Sequence, residues 1–185
     1  EQAGRQGRLT RTPPVRWMWI DRIVEIVPRQ RLVSVKHITL SEEHTHEHFA
    51  ATESRPSIAV MPACLIVEGV AQSGGILIGH ASGFREKLVL AKITRVDLEC
   101  EATPGDTLRY TITVEQIGSQ GASTKGLVER VEAWSGKVET IGHVDLMFSN
   151  LDQNMAGLEF PEGNFVFGDA FRTLLKNSGV EIPPA

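Results

Sequence analysis

Only two cysteines occur in the chain, Cys64 and Cys100, and they form no C-x-x-C pair. Neither a disulfide framework nor a thiolate zinc site is indicated, and a reducing cytoplasm is the expected compartment. Excess positive charge is missing as well: the formal net charge is -4 and the Lys and Arg residues are scattered, so the chain offers no electrostatic field for nucleic acid. No apolar run is expected to reach the roughly 18 residues of a membrane span. The longest candidate, Ala63 to Ile78, is broken by Glu68, Gln72 and Gly74-Gly75. Internal repeats and low-complexity stretches are absent too. What remains is a chain of 185 residues with ordinary apolar and charged fractions, which fits a globular protein built on one core.

Residues 1–14 are polar and arginine-bearing and end in two prolines, a composition that reads as a loose tail and not as a secretory signal. Trp17 to Val27 is apolar and β-branched, and after a polar break Leu32 to Leu40 alternates in the two-residue period of a strand. From Ser41 to Ser57 the chain is polar, rich in His and Glu, and without periodicity, so an extended loop is expected.

Pro62 to His80 is apolar around nearly its whole circumference, the pattern of a buried helix. Pro62 suits the first helical position, and Met61 before it is not a capping type, so the helix start is open to a ligand. The interior glycines lower helicity by up to about 1 kcal/mol each; tertiary packing must hold this helix, and a sheet can approach it closely. Beyond Gly83 come β-patterned runs at Leu88–Leu98, Leu108–Val114, Leu127–Trp134 and Val138–Phe148, with a turn at Pro104-Gly105-Asp106 and a hairpin at Ser135-Gly136-Lys137. One buried helix among antiparallel strands is an α+β arrangement. The domain is expected to span 15–149. Residues 150–185 form an extension with an aromatic patch at Phe160, Phe165, Phe167 and Phe171 and an amphipathic helix from Asp169 to Lys176, expected to dock on it.

Glu68 sits on the most apolar helix of the chain, where a carboxylate is paired, hydrogen-bonded or functional. Burial raises a carboxyl pKa and suits it to proton transfer near neutral pH. Gln72, at i+4, shares its helical face and can orient it. His48, in Glu47-His48-Phe49, is the candidate base. Each has an ordinary alternative: a satisfied structural carboxylate for Glu68, an exposed loop side chain for His48. On an extended strand His44, His46 and His48 would share one face and could hold a transition metal; a solvated loop is the plainer reading, and no fourth ligand can be named. Cys64 could be a nucleophile at a helix N-terminus, although a small buried hydrophobe is the plainer role.

Taken together, Trp19-Ile20-Asp21-Arg22-Ile23, Glu47-His48-Phe49, Met61 to Gln72, Ala91-Lys92-Ile93 and Thr103-Pro104-Gly105-Asp106 resemble the FabA/FabZ-type β-hydroxyacyl-acyl carrier protein dehydratases, landmark by landmark and in order, from about Trp17 to Ser149. The resemblance implies a hotdog fold, a sheet wrapped around the helix at about 62–80, and a homodimer whose sites take His from one chain and the acid from the other. It implies His48 and Glu68 as the catalytic pair and dehydration of a 3-hydroxyacyl thioester on acyl carrier protein, with no cofactor and no metal. Backbone N–H groups of Ala63 and Cys64 would polarise the thioester carbonyl. Five features depart from the family pattern: Glu47 replaces the loop Gly, Ala50 the loop Pro and Ala63 the Gly after Pro62; Glu68 follows His48 by 20 residues, a longer loop than usual; and the extension beyond Ser149, without counterpart in the short members, is placed to cover the acyl tunnel. Thioesterase or hydratase chemistry on the same fold, or a non-catalytic thioester-binding subunit, are the alternatives.

Overall fold

The buried positions of the run after Arg31 are Leu32, Ser34 and Lys36, every second residue, so this strand lays one face on a core. The same alternation recurs through the chain and yields one antiparallel sheet in the computed structural model, which describes residues 17–151 and 167–181. In chain order the elements are β1 (Arg22–Val27), β2 (Arg31–His37), α1 (Glu43–Glu47), α2 (Ala63–Ala81), β3 (Leu88–Leu98), β4 (Thr107–Gly118), β5 (Gly121–Val131), β6 (Val138–Asn150) and α3 (Asp169–Asn177). The strands lie in the order β1-β2-β4-β5-β6-β3, and α2 touches β2, β3, β4, β5 and β6. The sheet thus wraps one helix. Leu108, Tyr110 and Ile112 of β4, Val128 of β5, and Val144, Leu146 and Phe148 of β6 meet Ile66, Val70, Ile76 and Leu77 of α2 in a single core.

Close approach of sheet and helix depends on α2 glycine. A Cβ on Gly69 would lie 2.7 Å from Cε2 of the fully buried Tyr110 ring. Gly69→Ala is therefore expected to destabilise the fold by about 1–3 kcal/mol through overpacking, read as a lower urea midpoint. The Tyr110 hydroxyl is buried without a hydrogen-bond partner among the described residues, and burial pushes its pKa up, so it stays neutral. Tyr110→Phe removes an unsatisfied group and is expected to leave the midpoint unchanged or raise it.

The structure corrects several expectations. The 19-residue α2 does have the length and apolarity of a membrane span, because Glu68 and Gln72 interrupt it without lowering its mean hydropathy far enough; 67% of the qualifying window is nevertheless buried, as in a core helix. Pro62 is the N-cap, with ψ of 133°, and the helix begins one residue later. Part of the expected 41–57 loop is helical. Thr45 is buried, with its hydroxyl bonded to the carbonyls of Thr39 and Glu42, and Glu42 is held by the buried Lys36 ammonium at 2.5 Å. These contacts join polar groups three to six residues apart and leave no periodic trace. β5 starts at Gly121, ahead of the expected Leu127, because β4 and β6 pair it on both sides.

α3 falls on the expected amphipathic segment. Leu174 and Leu175 are buried, and the Ser178 hydroxyl just past α3 accepts the Ile23 N–H of β1 at 2.9 Å. Phe160 and Phe165, like the tail 1–14, lie outside the described residues. At the other edge of the sheet, β3 pairs only with β6 among the described residues, and it leaves Leu90, Ile93 and Val96 about 40–46% exposed, beside Met147 of β6 at 44%. A long apolar edge strand is a surface built for pairing.

Candidate active site

Successive turns of α2 place Glu68, Ala71, Gln72 and Gly75 on one face. These residues line a cavity of about 230 Å³ together with Leu88 and Leu90 of β3, Phe148 of β6, and Phe167 and Phe171 from the C-terminal segment. Glu68 is half-buried at this cavity and, among the described residues, is the one acidic group in an otherwise largely apolar lining. Its hydrogen-bond partner is a neutral amide: Gln72 Nε2 donates to Glu68 Oε1 at 3.0 Å.

The orientation of that amide is set from outside. The Trp19 N–H donates to Gln72 Oε1 at 2.9 Å, which makes this atom the oxygen; Nε2 then faces both Glu68 and the Trp17 carbonyl, the latter at 2.9 Å. The apolar segment before β1 thereby fixes which side of Gln72 meets the carboxyl. Trp19 is wedged edge-on between Trp17, at 5.1 Å, and His44, at 4.7 Å. Gln72→Ala is expected to strand the Trp19 N–H and cost about 1–3 kcal/mol of stability. It should also lower kcat more than it raises KM, because the carboxyl loses its orienting donor; denaturant titration and steady-state kinetics read the two effects separately.

The start of α2 has no side-chain cap, and Ala63 and Cys64 are both exposed there. Their N–H groups belong to the first turn, where helical backbone donors lack intrahelical partners and the macrodipole is positive. Cys64 is a free, exposed thiol and not the buried hydrophobe expected of it, because it shares the outward face of α2 with Ala63, Val67 and Glu68 while Leu65 and Ile66 take the core-facing side.

His48 ends α1 as its C-cap, and its exposed ring leans on Phe49 with centroids 4.5 Å apart. The loop beyond is tied by bridges between Phe49 and Ile58 and between Thr52 and Arg55. His48 does not line the Glu68 cavity within one chain. The three-histidine metal reading required an extended strand, and this segment is helical from Glu43 to Glu47. His44 is also no solvated loop residue: it packs on Trp19. Phe167 and Phe171 enter the cavity from the aromatic, amphipathic segment expected to dock on the domain. Trp17 and Trp19 escaped the sequence reading, because they act through backbone groups that no pattern marks.

A FabA-like domain model matches residues 13–138. The 3-hydroxyacyl-[acyl-carrier-protein] dehydratase FabZ of Geobacter metallireducens is 34% identical over 142 residues, covering 74% of this chain and 87% of that protein. Among solved structures, an acyl-CoA hydrolase from Staphylococcus aureus in complex with butyryl coenzyme A superposes with a TM-score of 0.53 at 16% identity, covering 68% of each chain. The dehydratase heterocomplex ApeI:P from Xenorhabdus doucetiae gives a TM-score of 0.55 at 12% identity, covering 74% of this chain and 85% of that one. At these identities the two structures show the hotdog fold alone. Together with the fold and the matched residues, the family model and the sequence relative establish that the chain belongs to the FabA-like domain family.

Proposed function

We propose that the protein dehydrates 3-hydroxyacyl thioesters borne on acyl carrier protein to trans-2-enoyl thioesters, in fatty acid or related lipid synthesis. The observation that carries this reading is Glu68, oriented by Gln72 at an apolar cavity in a chain collinear with the FabZ relatives. His48 takes the proton from the carbon between carbonyl and carbinol, and the C–H electron pair forms the new C=C bond. The C–O bond breaks as Glu68 protonates the departing hydroxyl, which leaves as water. Ala63 and Cys64 supply N–H donors to the thioester oxygen as it gains enolate character. No oxidation or reduction occurs, so the step calls on no electron carrier.

Because His48 lies outside its own chain's Glu68 cavity, the reading completes each site with His48 of the partner subunit. Pairing of β3 edges in a homodimer would cover Leu90, Ile93 and Val96. Two free, exposed cysteines suit a reducing cytoplasm. The test is intact-mass spectrometry of 3-hydroxyacyl carrier protein after incubation with the protein. Loss of one water from the carrier-bound group supports the reading; unchanged substrate, or deacylated carrier, refutes it.

A further inference from the structure

The cavity that begins at Glu68 runs along a glycine-bearing stripe of α2 and stops abruptly. At 1.5 Å rise per residue, Gly75 lies about 10 Å and Gly79 about 16 Å beyond Glu68 along the helix. A Cβ on Gly75 would meet only Phe148 Cε1, at 3.9 Å, so the wall there is open. A Cβ on Gly79 would lie 2.5 Å from Phe167 Cζ and 2.9 Å from Phe84 Cδ1: the stripe is filled by aromatic rings. Phe167 is 3% exposed and packs edge-on against Phe84, at 4.9 Å, and Phe171, at 5.9 Å. This plug is fixed, since α3 is seated by the buried Leu174 and Leu175 and by the bond from Ile23 to Ser178.

We propose that Phe167 and Phe171 form a chain-length stop, which restricts the enzyme to short 3-hydroxyacyl groups by closing the acyl cavity at its far end. The inference rests on the dehydratase reading for the identity of the occupant. Within one chain the half-open space between Glu68 and the aromatic rings measures about 230 Å³, below the roughly 300–1,000 Å³ of ordinary ligand pockets. A rigid aromatic floor discriminates steeply, because a methylene that does not fit an apolar pocket changes kcat/KM by about 10-fold or more.

The experiment measures kcat/KM on 3-hydroxyacyl carrier proteins of four, six, eight, twelve and sixteen carbons, alongside calorimetric Kd values for saturated acyl thioesters of the same lengths. The wild type is expected to lose at least about 10-fold in kcat/KM over one step of the series. In Phe171→Ala and Phe167→Ala/Phe171→Ala, the ratio of twelve-carbon to four-carbon kcat/KM should rise at least about 10-fold. Gly75→Val, which narrows the opposite wall, should shift the cut-off to shorter chains, and it keeps the idea testable should the aromatic variants fail to fold. A flat wild-type profile overturns the stop while leaving the dehydratase reading intact, as does a profile unmoved in folded variants. If the wild type forms no enoyl product at any length, the dehydratase reading falls, and the Kd series decides the stop alone. A length cut-off that moves in Phe171→Ala supports the stop, and a length-independent Kd rejects it.

Discussion

Chains carrying His48→Ala and chains carrying Glu68→Gln are each expected to be nearly inactive, and to regain activity when unfolded and refolded together. A general acid or base contributes about 10²–10⁴-fold to such a proton transfer, so either variant alone should lose about that much kcat. His48 does not line the Glu68 cavity of its own chain, and on the proposed reading each working site takes its histidine from a second chain. In an equal mixture roughly half of the dimers are mixed. Each mixed dimer has one site with both residues defective and one with both intact. Recovered activity should approach a quarter of the wild-type value. Were His48 and Glu68 to act within one chain, mixing would restore nothing.

Placing charge on the apolar edge strand should be nearly as damaging. Ile93→Glu combined with Val96→Lys converts two exposed apolar positions of β3 into charged ones, a substitution that β3 tolerates in the free chain but that an edge-to-edge partner does not. Light scattering is expected to give the mass of one chain in place of two, with thermal stability largely kept. Turnover should fall by the same order as in His48→Ala, since Glu68 no longer meets a histidine. A variant that becomes monomeric and stays active would remove the shared-site account.

The helix that organises the site was legible because of its all-round apolarity: Pro62–His80 as expected, Ala63–Ala81 as observed. β3 was legible from Leu88 to Leu98 for the same reason, a long β-branched and aliphatic run between turn residues. The start of β5 was not. Gly121-Ala122-Ser123-Thr124-Lys125-Gly126 carries almost no apolar signal, and its strand state comes from two neighbours that a local pattern cannot contain. α1 was hidden in the same way, since it depends on Lys36 reaching Glu42.

In the site, the i,i+4 spacing of Glu68 and Gln72 was enough to anticipate their hydrogen bond, because helix geometry alone brings such residues together. What sets the Gln72 amide was out of reach, as it depends on backbone groups of Trp17 and Trp19 more than fifty positions away. The exposure of Cys64 reflects which face of α2 meets the sheet at its first turn, where Leu65 and Ile66 are buried, and on a helix apolar all round only tertiary packing decides that. Phe167 and Phe171 reach the cavity for a similar reason: α3 docks beside β1, at the opposite end of the chain.

The most direct test follows a short 3-hydroxyacyl thioester with two simultaneous readings, near-ultraviolet absorbance of the conjugated enoyl thioester and titration of free thiol. Wild-type protein should raise the absorbance and release no thiol, and Glu68→Gln should slow that rise by about 10²–10⁴-fold. Thiol release without enoyl absorbance, or an undiminished rate in Glu68→Gln, would contradict the assignment of proton donation to Glu68.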